Sequence, residues 1–239
     1  MEIFSYIWEY YLYIPLFNFL VWLYINYAFF NLGLAVIILT IMLRIALLPF
    51  TILTEKSKIV GSQLSEEISK IRKDFTGDTV KQKELIRLAL KKRKLHPWAK
   101  AIVLGVQFLV LVLLYQVFVG GINSEAKLHL LYPSITRPDF INTKFLFLDI
   151  GQHNLFMAAV VAGYLFAEIL INFWERRGRV SKQEQLYSLL FPASIFVLLA
   201  ILPSVKSIFI LTSLVFSSII SSITALVKFS IKQTKKSNN

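Results

Sequence analysis

Arg44 is the residue best placed to do chemistry in this chain. A guanidinium stays charged at cellular pH and presents five N–H donors in a rigid fork. Here it stands between Leu43 and Ile45 in the largely apolar run 34–48. A cation among hydrocarbon is costly, so an arginine in this setting faces a wet cavity or a carboxylate. Taking 32–53 as one helix, Arg44 lies roughly 14 Å from its end at Leu53, too deep for easy snorkelling. Other polar side chains recur at comparable depth. Thr40 and Thr51 share its helical face at spacings of four and seven. Gln107 lies about 15 Å beyond Pro97 in a second apolar run. Ser213, Ser217, Ser221 and Thr224 form one stripe on the last run. Glu168, the only carboxylate within such a run, sits about 9 Å from its end at Trp174, where it either pairs with Arg44 or reaches the interface. A single Ser or Thr in an apolar helix bonds its own backbone or packs against a neighbour. Taken together, Arg44, Thr40, Gln107, Glu168, Ser213, Ser217 and Ser221 outline a polar groove.

Catalytic patterns are missing from the sequence. It has no HExxH, GxSxG or GxxxxGK[ST], and His96, His129 and His153 are far apart. With no cysteine there is no thiol nucleophile, disulfide or sulfur-bound metal. One intramembrane Glu falls short of the paired carboxylates of acid proteolysis. No cofactor or metal is expected, and a non-enzymatic role is.

The elements that must position these residues follow from hydropathy. Of 239 residues 56% are hydrophobic, and the mean hydropathy is +0.63, more than a soluble domain can hide from water. Apolar residues gather at 32–53, 99–119, 155–174, 186–202 and 208–227, each near the roughly 20 residues that cross a bilayer. The fold expected is an all-α membrane protein with five transmembrane helices, an outer-surface interfacial helix and a cytoplasmic helical hairpin. Its segments are an external, interfacial region (1–30), span 1 (31–53), the hairpin (54–98), span 2 (99–121), an external loop (122–152) and span 3 (153–174). A cytoplasmic loop (175–185), spans 4 (186–203) and 5 (207–227) and a basic tail (228–239) complete one domain.

Trp8, Trp22 and several tyrosines, interspersed with Asn18, Asn26 and Asn31, suit the headgroup region. They predict a helix over 15–27 lying flat on the outer surface; one long tilted span from Ile14 is the alternative. In the hairpin, Ile59, Leu64, Ile68, Ile71 and Phe75 recur at helical spacing, as do Val80, Leu85, Leu88 and, more loosely, Leu95. Gly77 can end the first arm, and Thr79 with Gln82 forms a capping-box pattern for the second. The stripes need a partner surface: the other arm, the membrane or a client. The hairpin's Lys70, Arg72, Lys73, Arg87, Lys91, Lys92 and Arg93 are candidates for client or partner contact. The start Met1-Glu2-Ile3-Phe4 lacks signal-peptide features and reads as mature. No internal repeat is evident, which weakens a transporter of inverted halves.

Charge sets the expected orientation. Thirteen Lys/Arg fall in 55–100, four in 175–185 and four in 228–239, all in alternate connections. Positive loops inside then place the N-terminus outside and the C-terminus in the cytoplasm. The net charge of +12 is explained by topology and anionic lipid, and DNA binding is not expected.

These features resemble the YidC/Oxa/Alb family of membrane protein insertases along nearly the whole chain. The likeness is carried by Pro15-Leu16-Phe17, Asn31-Leu32-Gly33, Thr40-Ile41-Met42-Leu43-Arg44 and Pro49, then by His96-Pro97, Gln107, Phe191-Pro192 and Leu202-Pro203-Ser204. Phe108-Leu109, Phe209-Ile210 and Ser221-Ser222 depart from the family pattern. The resemblance implies a minimal insertase of the bacterial plasma membrane whose groove arginine is Arg44. It implies nascent membrane proteins and the bilayer as partners, with the Sec translocon and the ribosome as further candidates. The short basic tail does not support a strong ribosome tether. Rival readings are a small anion transporter or channel and a non-catalytic assembly factor.

Overall fold

The computed structural model describes residues 2–75, 77–92, 97–175 and 182–237. Helices carry most of it: α1 (Glu2–Ile7), a π-helical turn (Trp8–Tyr13), α2 (Ile14–Asn26), α3 (Leu32–Ala46), α4 (Leu48–Asp74), α5 (Thr79–Lys92) and α6 (Pro97–Phe118). After these come α7 (Glu125–Leu128), strands β1 (Lys144–Phe145) and β2 (Leu148–Asp149), α8 (Leu155–Glu175), α9 (Lys182–Ile201) and α10 (Val205–Ser237).

Trp98–Phe118, Glu184–Ile201 and Val205–Leu226 are long and apolar enough to cross a membrane. Leu32–Ala46 with Leu48–Ser57 makes a fourth if that broken pair is one span, and Leu155–Ile171 is a shorter apolar helix. The chain is therefore a mainly helical membrane protein. One expectation is corrected in detail: the first span is not a continuous helix over 31–53. Pro49 has no N–H to donate and its ring crowds the carbonyl of Ile45, which favours a break just before it, although α9 runs on through Pro192. The helix instead restarts at Leu48 with the proline in its first turn, where a missing donor is harmless. α4 itself runs without interruption past 53/54 into the first arm of the hairpin.

The chain divides into two compact units, Met1–Arg44 with Leu109–Ser218, and Ile45–Phe108 with Ile219–Asn239. In the first, α8 and α9 pack closely around Ala158, Val161 and Leu199, with Leu165, Ile195, Phe196, Ile210, Leu211 and Leu214 against them. α2 is held by the connection after α6 rather than lying free. Asn18, expected among headgroups, is buried: its amide donates to the carbonyls of Ile14 and Leu130 (2.9 Å each), and its oxygen accepts from the Tyr132 N–H (2.6 Å). The Tyr24 hydroxyl accepts from the Asn142 N–H (2.9 Å) and donates to the Phe140 carbonyl (3.5 Å). A buried polar group needs such partners, and apart from Ile14 these lie more than a hundred residues away in sequence. Within 122–152, expected as loop, β1 and β2 pair antiparallel in the register Lys144↔Asp149 and Phe145↔Leu148.

In the second unit α4 and α5 pack on each other as the predicted hairpin. Leu64, Ile68, Ile71 and Phe75 are buried or half-buried, as the stripe requires. On α5 the packed face is Gln82, Leu85, Ile86 and Ala89, whereas Val80 and Leu88 are exposed; Leu95 lies outside the described residues. The capping box is also corrected. Asp78, not Thr79, caps α5 by accepting from the Lys81 N–H (2.9 Å). The Gln82 amide reaches instead to the carbonyls of Phe75 (2.7 Å) and Arg72 (3.2 Å), tying the second arm to the end of the first. Phe50 and Trp98 meet edge to face at 6.1 Å.

Candidate functional site

The site is built on α3. Its buried residues are Leu32, Gly33, Ala35, Val36, Leu39, Thr40 and Arg44, a stripe at spacings of three and four. Ile41, Met42 and Ile45 are exposed on the opposite face. The helix therefore turns apolar side chains outward and its one charge inward, the reverse of a soluble helix. Arg44 is only 5% exposed. It lies in the last turn of α3 rather than deep within an unbroken helix. A cation there complements the negative end of the helix dipole, where carbonyls have lost their intrahelical partners. Thr40, one turn earlier and fully buried, donates its hydroxyl to the Val36 carbonyl at 2.6 Å. Its proton is thus spent in its own helix, and its oxygen can still accept. Thr51 and Thr224 are likewise bonded to Leu47 and Ile220.

α8 and α10 supply the other polar groups of the first unit. The Tyr164 hydroxyl donates to Ser218 Oγ at 2.9 Å, joining these two helices. Sequence reasoning passed over both residues, although a tyrosine in the middle of an apolar helix calls for a partner. Val161, Tyr164, Leu165 and Glu168 follow one another on the inward face of α8, so Glu168 belongs to the side from which Tyr164 reaches α10. Glu168 is half-buried. On α10, Ser213 is fully buried and Ser217 half-buried, while Val215 and Ile219 are exposed. Ser213 Oγ and Ser207 Oγ have no hydrogen-bond partner in the described structure. Native interiors rarely leave a buried hydroxyl so, and the usual resident is water or a ligand. Gln107 and Ser221, both half-buried, lie in the second unit. Arg44, Gln107 and Glu168 are each engaged in an interaction.

A set of polar contacts ties the α6–α7 turn and the α9–α10 turn into the first unit. The Lys127 ammonium donates to the carbonyls of Val117 (2.8 Å) and Val119 at the end of α6. Burial holds its pKa below the usual lysine value. Lys206, at the start of α10, is 3% exposed, with its ammonium over the Tyr115 ring at 3.7 Å from the centroid. The Ser204 N–H and hydroxyl both donate to the Gln152 carbonyl (2.8 and 2.7 Å), and the Trp8 indole donates to Gln116 (2.7 Å).

In the hairpin, Lys70, Arg72, Lys73 and Arg87 are exposed, Lys91 and Lys92 end α5, and Arg93 lies outside the described residues. Among the described residues no three His, Asp or Glu gather as a metal site would require.

Residues 22–232 match the family described as 60Kd inner membrane protein. The chain is similar to a Membrane protein insertase YidC from Clostridium tetani, 29% identical over 119 residues, covering 48% of this chain and 51% of the relative. A Clostridium acetobutylicum protein of the same name is 35% identical over 93 residues (39% of this chain, 35% of the relative). One from Fusobacterium nucleatum subsp. nucleatum is 32% identical over 96 residues (38% and 45%). The chain spans about half or less of the length of these relatives.

Proposed function

Because this chain belongs to the 60Kd inner membrane protein family, the YidC/Oxa/Alb group, we propose that it is a membrane protein insertase. It draws short hydrophilic segments of client proteins into a polar groove open toward the cytoplasm and releases their apolar helices into lipid. The observation that carries the reading is Arg44, 5% exposed on the inward face of a helix whose other face is apolar and bare. Around it Thr40, Glu168, Ser213 and Ser217 hold a little water, which the orphaned Ser213 hydroxyl calls for. Gln107 on α6 and Ser221, one turn beyond Ser217 on α10, are further candidates for client contact.

The process needs no nucleotide. Burying about 20 apolar client residues is favourable, and a hydrated groove lowers the cost of carrying a few polar ones across. The exposed basic residues of the hairpin, Lys70, Arg72, Lys73 and Arg87, meet clients before they enter, together with Lys91, Lys92 and Arg93. The chain crosses the bacterial plasma membrane five times, counting α3 with the start of α4 as one broken span and α8 as a short one. Its N-terminus is outside and its C-terminus in the cytoplasm. Clients are nascent membrane proteins, with the Sec translocon and the ribosome as candidate collaborators.

The deciding experiment compares insertion of a single-span client into proteoliposomes by wild type, Arg44→Ala and Arg44→Lys. Loss of about tenfold or more is expected for alanine, and partial recovery with lysine if charge alone suffices. Equal yields from all three would remove Arg44 from the mechanism. An anion channel would use the same buried cation but predicts steady solute conductance. The contacts of Asn18, Tyr24, Ser204 and Lys127 favour a sealed outer end, so no conductance is expected.

A further inference from the structure

Three bulky residues hold backbone conformations that side chains with a Cβ rarely adopt: Phe29 (φ 49°), Phe30 (φ 57°) and Leu146 (φ 55°). Such conformations are costly and persist only where the surroundings impose them. Here they turn apolar side chains outward. Phe29 is 87% exposed, Leu146 79% and its neighbour Phe147 73%.

Both turns are fixed at the first turn of α3. The 27–30 turn leads into that helix, with the Phe30 ring edge to face on Tyr24 at 5.6 Å. The β1–β2 hairpin is keyed to it by Phe145, whose ring fills the space above Gly33; a Cβ on that glycine would lie 2.3 Å from Phe145 Cγ. At the hairpin tip, Phe147 meets Phe156 edge to face at 5.8 Å. Phe156 and Leu155 are themselves exposed at the start of α8, with Val160 following on that helix. The tip is thus continuous with an apolar helix face, and exposed Lys144 borders it.

We infer that Phe29 and the Leu146–Phe147 tip form a wedge that enters the headgroup–acyl boundary of the leaflet at the N-terminal ends of α3 and α8. Phospholipid is the partner because the patch prolongs the apolar surface of a helix in a membrane protein. Aromatic rings settle at that boundary, and a lysine at the rim suits phosphate. A side chain held there by a strained turn cannot retreat, so the wedge sets the depth of α3, and with it that of Arg44. The inference rests on the membrane reading of the chain and is independent of insertase activity.

The chain contains no cysteine, so single labels can be placed cleanly. Phe29→Cys, Phe147→Cys and, as an exposed control on α7, Glu125→Cys are labelled with an environment-sensitive NBD fluorophore. They are reconstituted into phosphatidylcholine vesicles containing lipid spin-labelled just below the headgroup. Quenching by lipid several-fold stronger at 29 and 147 than at 125, with blue-shifted emission and weaker quenching by aqueous iodide, is expected. Lipid quenching at 147 no greater than at 125 overturns the wedge. If the two labels are then also shielded from iodide, a protein covers the patch instead. The readout is depth alone, so a failed insertion assay leaves this result intact, and the reverse holds too.

Discussion

The connections that follow α6 and α9 in the first unit and the serines of α10 treat polar groups in opposite ways. Asn18 uses its amide and its carbonyl oxygen, Tyr24 both donates and accepts, and Ser204 gives two bonds to one carbonyl. On α10, Ser207 and Ser213 are as deeply buried yet have no hydrogen-bond partner among the described residues. A saturated network rigidifies, whereas an orphaned hydroxyl in a dry place is a loss that evolution can remove with alanine. The contrast separates connections whose polar groups are saturated from a helix that leaves two buried hydroxyls unpaired among the described residues.

The comparison can be broken at its strongest point first. Gly33→Val drives a side chain into the Phe145 ring and should lower stability by about 3 kcal/mol, measured by thermal unfolding in detergent. Adding Phe145→Ala should recover part of that loss; no recovery would mean that the hairpin is not keyed to α3. Asn18→Ala leaves the Tyr132 N–H and the Leu130 carbonyl unpaired and should cost about 2 kcal/mol in the same assay. Tyr164→Phe removes one bond between α8 and α10 and should cost only about 0.6 kcal/mol. A cost near that of Asn18→Ala would place this pair with the saturated connections. Ser213→Ala sharpens the contrast most cheaply: stability should change by less than about 0.5 kcal/mol, because no protein bond is lost. Its insertion yield should fall by more than so small a change explains. Unchanged yield would take Ser213 out of the groove.

Legibility in the sequence followed the range of the interaction. The apolar runs were readable because burial of some 20 consecutive residues is a local property. The hairpin was readable from its stripes, and Arg44 from the cost of its surroundings. The cap of α5 was misread by one residue because Asp78 and Thr79 are both competent caps, and the choice depends on where Gln82 finds carbonyls in the other arm. Asn18 was assigned to headgroups because its partners, Leu130 and Tyr132, are more than a hundred residues away. Nothing local to Lys206 announces that the Tyr115 ring will lie beneath it. The effect of Pro49 was available from its missing N–H, but a hydropathy window averages across a break in the backbone.

From its residues alone this chain is bound to be a basic, helical membrane protein carrying one permanent cation among hydrocarbon, since hydropathy and charge are sums over neighbours in sequence. Tertiary structure decided which way that cation points, which serines lack partners among the described residues and how Asn18 and Tyr24 hold the connection between α6 and α8. Those outcomes depend on helix rotation and on contacts between distant segments, which no local pattern encodes.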